Sequence, residues 1–595
     1  MKIALLGAAL IVSHLAQAQE KDSLKSIDLE SVIINSVLKK NSDYTNKMPL
    51  RAIENPQSYS TVDRIFFDNQ LINTVDEAYR NVTGVQKMWS ATNRAGDGGA
   101  YITLRGFTSN NAMRNGLVAP VTTAIDAINI EKLEVLKGPS ATLYGSNATS
   151  YGGVINRVTK KPYDHFGGSV SVTGGSYNYY RAQADINTPL TKNNKLLFRF
   201  NTAYTKTGTF QKTDAKNTFF AFTPSLLYKV NDKLDISLEF EMYDTKTIPE
   251  QSFFYLSKAA TGVSNMRDLE KLGLDYKQSY YGDNMYTNAR VRNLFGQVNY
   301  KINEHIRSNT NVSTAYTYSD GLNPYFAITL DPTDKQLLVN RGDQSSKDSK
   351  KTYLQVQQNF NFDYSFGNGM RNRTVVGLDY MHIKNDLKYL YLKKGFFDAV
   401  PLKGYDYAST FNADVLNALY ANEANVRNYD QRDAQDTYSA YVSNVFTPVA
   451  GLNIMTALRY ESNNFQGGKL WINDVSAYKQ AALAPKFGIV YEFVKDKFSI
   501  FGNYQNSFKS NGYYFTDENA KTALSDPERA NQFEGGIKGN LFRGKVNATL
   551  SYYDIEVKNT LYTLGYVKDT FNAFQNQSGK LASKGVELEI NAYLL

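Results

Sequence analysis

Asn129-Ile130-Glu131-Lys132-Leu133-Glu134-Val135-Leu136-Lys137-Gly138-Pro139-Ser140 is the stretch on which the reading of this 595-residue chain turns. Leu104-Arg105-Gly106-Phe107 stands upstream of it. Leu143-Tyr144-Gly145 and Tyr151-Gly152-Gly153-Val154-Ile155-Asn156-Arg157-Val158-Thr159-Lys160-Lys161-Pro162 follow. The aliphatic residues give these segments strand character. Charged Arg105, Glu131, Glu134 and Lys137 are set among them, and a buried charge needs a partner. Gly138, Gly145, Gly152 and Gly153 shape the backbone. Their spacing is no phosphate cradle, because no Lys-Ser or Lys-Thr follows at the required place.

Upstream, Glu54 to Val62 reads as an extended lead-in and a strand. Thr74 to Arg80 reads as a short helix, with Thr74 as cap and Asp76 and Glu77 in its first turn. Downstream, from Gly168, the pattern changes to period two. Tyr180, Ala182, Ala184 and Ile186 alternate with Arg181, Gln183, Asp185 and Asn187. Leu234 to Met242, Val546 to Tyr552 and Val586 to Ile590 repeat the alternation, giving one apolar and one wet face.

A sandwich and a barrel both alternate in this way, and connection lengths separate them. Short polar turns are expected at Lys192-Asn193-Asn194, Asn231-Asp232-Lys233, Asn303-Glu304-His305, Gly367-Asn368-Gly369, Thr447-Pro448-Val449, Lys495-Asp496 and Arg543-Gly544. Between them run long connections: Asp244 to Asn288, Ser319 to Lys350, Asp386 to Arg432, Asn464 to Ala482 and Lys509 to Arg529. Short turns at one end and long loops at the other mark an outer-membrane barrel, here with about 16 strands. The 44 tyrosines and 33 phenylalanines suit strands and interfacial girdles.

Lys2, the apolar run Ile3 to Val12 and Ala16-Gln17-Ala18 form a signal-peptide pattern cleaved after Ala18. That run is too short for a transmembrane helix, which needs roughly 20 residues. There is no cysteine, so disulfides and thiolate metal sites are excluded. His14, His165, His305 and His382 are far apart, which argues against a metal centre. The net charge of +9 is spread along the chain rather than clustered, so no nucleic-acid partner is expected. No Gly-x-Ser-x-Gly elbow or Ser/His/Asp arrangement is present, and the chain reads as no enzyme, with no cofactor.

The opening run resembles the plug domain of TonB-dependent outer-membrane receptors. The Pro56-Gln57-Ser58 lead-in with its following helix, and Arg114-Asn115-Gly116-Leu117, resemble the siderophore-receptor branch. The resemblance implies a mainly β fold, a transmembrane antiparallel barrel with an N-terminal α+β plug in its lumen. It implies a signal peptide (1–18), a periplasmic tail (19–42), a plug (43–165) and a barrel (166–595). The apolar segment Leu29-Glu30-Ser31-Val32-Ile33-Ile34-Asn35 resembles the TonB box, recruited by strand addition to the energy-transducing partner. No signalling domain is expected before the plug. Family barrels have about 22 strands, so about six are expected to be missing after Val586, leaving a gap between the strands near Gly168 and Val586.

On this reading Arg105, Glu131, Glu134 and Lys137 make polar contacts from plug to barrel, and the four glycines pack the plug against the wall. Ligand contacts are expected from Trp89, Asn93, Arg94, Met113, Arg114 and Asn115. Further candidates are the loop aromatics Phe253-Phe254-Tyr255, Tyr280-Tyr281, Tyr325-Phe326 and Tyr513-Tyr514-Phe515. Aromatic rings offer rigid contact surface and arginine a planar cation for an anionic chelate. The implied function is TonB-dependent import of a ferric siderophore through the outer-membrane lipid. Haem, cobalamin or another chelate is the alternative, and an outer-membrane enzyme or passive porin a distant one.

Overall fold

A computed structural model describes residues 47–592, apart from 97–98, 110–112, 149, 255–257, 332, 472 and 569–571. The expected leader (1–18) and the segment Leu29 to Asn35 lie outside the described residues.

Period-two alternation builds the wall, and burial shows which face is which. In the strand Tyr179–Pro189, Arg181, Asp185 and Asn187 are buried and Tyr180 is exposed. In Leu234–Thr247, Glu239 and Glu241 are buried while Leu238 is exposed. Charge lies inside and aliphatic surface outside, the inverse of a soluble sandwich. Leu294, Val312, Val376, Leu378 and Leu458 form the apolar outer face. Tyr204, Phe220, Tyr438 and Tyr460 flank it toward the long loops, and Tyr228, Tyr300, Tyr491 and Phe542 toward the short turns. Two aromatic rows around an apolar band are the outer surface of a membrane barrel.

The barrel sheet holds twenty-one strands among the described residues. Five are short pieces in the long loops: Phe253–Phe254, Pro324–Leu330, Asn473–Val475, Tyr513–Phe515 and Thr522–Leu524. The other sixteen make the wall, as the alternation predicts. Their order brings the last strand, Ala573–Ala592, round to the first, Gly167–Gly175. Yet the first strand pairs residue for residue only with Tyr179–Pro189. The last pairs with Val546–Tyr566, plus a single Phe515–Phe574 bridge. Among the described residues no register joins the two, so the pairing that would close a smaller barrel is not formed.

Six of the seven short turns fall where the polar runs place them. The seventh moves from Thr447-Pro448-Val449 to Ala450-Gly451, and Val449 pairs with Leu452. Gly451 has φ +88°, a backbone region that favours glycine and fixes the tight turn one step later. The strands Leu337–Ser365 and Arg371–Pro401 run on past the apolar band as a bulged ribbon. They therefore take up part of two stretches that composition assigns to loops.

Inside the wall sits a sheet of five strands in the order Tyr59–Asp63, Ile130–Lys137, Gly153–Thr159, Met113–Arg114 and Leu117–Val118. A smaller sheet pairs Val85–Trp89, Tyr101–Leu104 and Phe107–Ser109. Val62, Phe67, Val75, Leu104, Ile128, Leu133, Val135 and Ile155 form an apolar core that Ala203, Ala221, Tyr243 and Val291 of the wall complete. The expected helix is present at Val75–Ala78 and continues as a tighter turn to Asn81. Thr74 precedes it, but its side chain caps nothing. The backbone N–H of Val75 donates to Ile125 instead, at 2.9 Å. A second helix, Arg64–Asn69, carries no clear cap and goes unread in the sequence.

Candidate functional site

Buried charge runs through the interface between plug and wall, beside apolar contacts. Arg105 and Gly106 form a two-residue turn between paired Leu104 and Phe107. Arg105 itself has φ +49°, a costly conformation for a non-glycine residue. The turn drives its guanidinium into the wall, where Nη2 meets Glu534 at 2.6 Å and Glu587 at 2.9 Å. Nη1 donates to Gln532 at 2.9 Å, and the guanidinium lies 4.2 Å from the centre of the Tyr553 ring. Lys137 Nζ is 3.3 Å from Glu587 and 3.4 Å from Glu589. Lys538 reaches from the wall to the carbonyls of Ala52, Asn55 and Gln57. Each of these charges is desolvated and paired, so removing one partner is far costlier than the pair's net worth.

Two further clusters repeat the device. Arg459 bonds Glu461 at 2.9 Å and Asp379 at 3.3 Å, and Ser146 of the plug donates to Glu461. Arg114 bonds Glu241 at 2.9 Å and also Glu239, with its guanidinium 3.6 Å from the Phe295 ring centre. Arg157 stands 3.8 Å from the same Glu241. At the plug's lower margin, Lys47 Nζ donates to Tyr441 at 2.8 Å between the rings of Tyr144 and Tyr441. Burial there draws the ammonium down to about 7, partly opposed by Asp379.

Of the four charged residues expected to cross to the wall, the structure brings Arg105 and Lys137 there. Glu134 stays within the plug, accepting from Asn156 at 3.0 Å and pairing with Lys132 at 2.8 Å. Glu131 is exposed. The alternation of the strand Ile130–Lys137 puts these two on plug-facing and solvent-facing sides. The glycines divide too. A Cβ on Gly138 or Gly145 would meet Gln532, Arg459 and Glu461 of the wall. On Gly152 it would lie 1.8 Å from the carbonyl oxygen of Leu104, so that glycine serves the plug's own packing.

The expected ligand residues split into two groups. Trp89 is half-exposed and packs on Tyr101 at 4.6 Å between ring centres. Asn93 bonds Thr247, and Arg94 bonds Gln344 at 2.9 Å and lies over Tyr389 at 4.4 Å. All three sit in the long-loop half. Met113, Arg114 and Asn115 do not. They belong to a hairpin of the plug sheet, with Met113 in the core and Arg114 ion-paired. Asn115 has φ +47° and Gly116 φ +79°, and Asn115 donates to Thr159 at 2.8 Å on the short-turn side. Asn-Gly is a strong hairpin signal, and reading it as such would have placed these three in the plug sheet, not in a loop of the long-loop half. Several of the loop aromatics are also taken up in packing. Phe253, Tyr280, Tyr281 and Phe326 join Tyr407, Phe411 and Leu416 in one apolar cluster. Arg341 pins that cluster, bonding Asp398 and donating to the carbonyls of Tyr280 and Tyr407.

Between plug and wall, at the short-turn end, lies a cavity of about 1060 Å³. Lys47, Met48, Pro49, Asn115 and Gly116 line its plug side, and its wall side mixes asparagines and glutamines with charged residues such as Lys229, Asp235, Lys301 and Arg307.

A membrane barrel whose lumen is filled by its own N-terminal domain, keyed in by buried ion pairs, is a plugged outer-membrane receptor. Residues 51–154 match the TonB-dependent receptor plug domain, and residues 338–595 match the TonB-dependent receptor-like β-barrel. The chain belongs to the TonB-dependent receptors, in the outer membrane of a Gram-negative bacterium. It is 23% identical to the metal-pseudopaline receptor of Pseudomonas aeruginosa, over 79% of this chain and 62% of that protein. It is 22% identical to the ferripyoverdine receptor of the same organism, over 99% and 70%. The closed form of the ferric-catecholate import receptor of Escherichia coli superposes with a TM-score of 0.75 at 16% identity, over 93% of this chain and 80% of that one. The chain thus spans less than two thirds of the length of the first of these relatives.

Proposed function

We propose that this chain imports a ferric siderophore across the outer membrane, energised by a TonB partner through Leu29 to Asn35. The observation that carries the reading is the plug–wall interface. It carries buried charge pairs beside apolar contacts such as Phe107 against Tyr553 and Ile555. Ion pairs and hydrogen bonds can be exchanged one for another when the plug is pulled. Siderophore cargo is favoured over haem or cobalamin by the relatives, which are named as pseudopaline and pyoverdine receptors. Trp89 and Arg94, on the long-loop half of the plug, are the proposed first contacts. The role is one of transport without catalysis. A panel of ferric chelates offered to an iron-starved strain carrying this gene tests it. Growth on at least one siderophore, lost when the energised partner is removed, is expected. Growth on haem or cobalamin alone would overturn the siderophore assignment.

A further inference from the structure

Lipid-facing side chains change character along each wall strand, and in one sector they end in cations. On the strand Thr287–Lys301 the lipid-facing column runs Tyr300, Val298, Gly296, Leu294, Arg292 and Arg290. Tyr300 stands in the aromatic row toward the short turns. A tilted strand needs about 9–11 residues to cross the hydrocarbon layer. Counted from Tyr300, that crossing ends at Arg292 and Arg290. Both guanidinium groups therefore stand where lipid chains give way to headgroups. The next strands put further cations beside them. Arg290 is paired in register with Tyr318, and Tyr318 with Lys350. Lys350 is paired with Asp386, two residues from Lys384 on the same face. On the other side, Lys246 is paired with Asn288. Lys246, Arg290, Lys350 and Lys384 are all exposed.

Two of these cations rest on rings. Arg290 lies 5.2 Å from the centre of the Tyr318 ring, and Lys246 lies 4.3 Å from that of Tyr286. Tyr318 is itself fixed, its hydroxyl donating to Asp348 at 3.0 Å. Asp244 stands directly opposite Arg290 but forms its ion pair with Arg292, at 2.7 Å. At the outer margin Asp386 faces Arg432 at 3.6 Å, and Asp320 accepts from the Asp348 N–H at 3.1 Å. Among the described residues the ion pairs of this sector go to Arg292 and Arg432, and the other four cations form none. The far side of the wall is balanced instead. There Lys584 pairs with Asp554 at 2.8 Å, and Lys558 with Glu556 at 2.9 Å.

We propose that this sector of the outer face binds a phosphorylated glycolipid of the outer leaflet. Cations at a membrane surface attract anionic headgroups, and a guanidinium takes a phosphate through two parallel hydrogen bonds. Arg290, Lys350 and Lys384 hold the phosphates, with Lys246 beside them. From Arg290 to Lys384 the row crosses three strand spacings, about 14 Å. A single phosphodiester headgroup offers one anionic centre. A disaccharide phosphorylated at both ends offers two, far enough apart to meet both ends of the row. The site depends on the membrane in which the barrel sits and not on the cargo it carries.

The probe is bisphosphorylated lipid A, titrated in mixed micelles onto the purified receptor and read by native mass spectrometry. Replacing three cations together, Arg290→Gln, Lys350→Gln and Lys384→Gln, should weaken binding about tenfold or more. Lys558→Gln, Lys580→Gln and Lys584→Gln together remove as much charge from the far side and should leave the affinity unchanged. Phosphatidylglycerol should bind the unmodified chain about tenfold more weakly than lipid A, and added salt should weaken both. No binding of lipid A by the unmodified chain overturns the proposal. So does equal weakening in the two triple variants, or phosphatidylglycerol bound as tightly as lipid A. Should the first triple variant not fold, Lys384→Gln alone decides. That side chain is exposed and unpaired among the described residues, and its loss should weaken lipid A binding about threefold. Unchanged affinity overturns the site.

Discussion

The wall of this barrel holds its plug in two ways. On strands Glu528–Leu541 and Ala573–Ala592, Glu534, Glu587 and Glu589 clasp Arg105 and Lys137 in a desolvated cluster. On strands Thr287–Lys301 and Ile306–Gly321, Gln297, Asn299, Asn309 and Asn311 bond one another across a cavity of about 1060 Å³ from the plug. Both surfaces are polar, but they differ in what it costs to part them. Separating the first strands buried charges, whereas separating the second exchanges amide bonds until Arg114, paired with Glu239 and Glu241 on the neighbouring strand, is reached. A plug in such a wall has a fixed side and a loose side, and its first described residues, Lys47 and Met48, pack on Tyr441, Val375, Val445 and Met455.

The largest effect should come from removing the link that loads the plug. Deleting Leu29 to Asn35 should abolish chelate accumulation while surface binding stays near the unmodified level. Accumulation at the unmodified rate would show that the pull does not enter there.

Next comes the fixed side. Arg105→Ala leaves Glu534 and Glu587 buried without a counter-charge, so docking of the plug should weaken by about 3–5 kcal/mol. Denaturant-induced exposure of the plug to protease checks this. The matching change on the loose side, Asn309→Ala, should cost only about 0.5–1.5 kcal/mol. Equal losses would erase the distinction between the two sides.

Much of this was legible in the chain and some was not. Period-two alternation places the sixteen wall strands, because a lipid-facing sheet has to keep one apolar face. The run from Leu104 to Lys137 places the plug, and Arg105 and Lys137 reach the wall as their charge demands. Glu131 and Glu134 share that sequence signature but not that environment, since charge alone does not say which side of a strand meets the wall. Met113 to Asn115 were misplaced for a local reason: the Asn-Gly pair makes a tight hairpin inside the plug, where composition suggests a ligand loop. Tyr280 and Phe326 look like ligand aromatics in sequence. Only the folded loops show them packed on one another around Arg341. The amide sector is invisible in sequence, because its residues come from separate strands and acquire meaning only in register.

A smaller effect is expected from pH. In the unfolded chain Lys47 titrates near its ordinary 10.5, but in place it is drawn down to about 7. Between those values the unfolded state binds more protons, so stability of this segment should rise as pH climbs from about 7 toward 10. Below pH 7 the lysine is charged in both states and the contribution is lost. Protease access at Lys47 in outer-membrane vesicles should therefore fall between pH 7 and 9, and Lys47→Met should flatten the change.

Amide hydrogen exchange of the plug in outer-membrane vesicles, read segment by segment, tests the central contrast most directly. Tyr101 to Phe107 and Ile130 to Lys137, on the fixed side, should exchange last, and an energised partner should leave them protected. Asn115 to Val118, on the loose side, should exchange earlier, and faster still when the partner is energised. Uniform protection across both groups, or acceleration confined to the Arg105 side, would contradict a plug that is fixed on one side and released on the other.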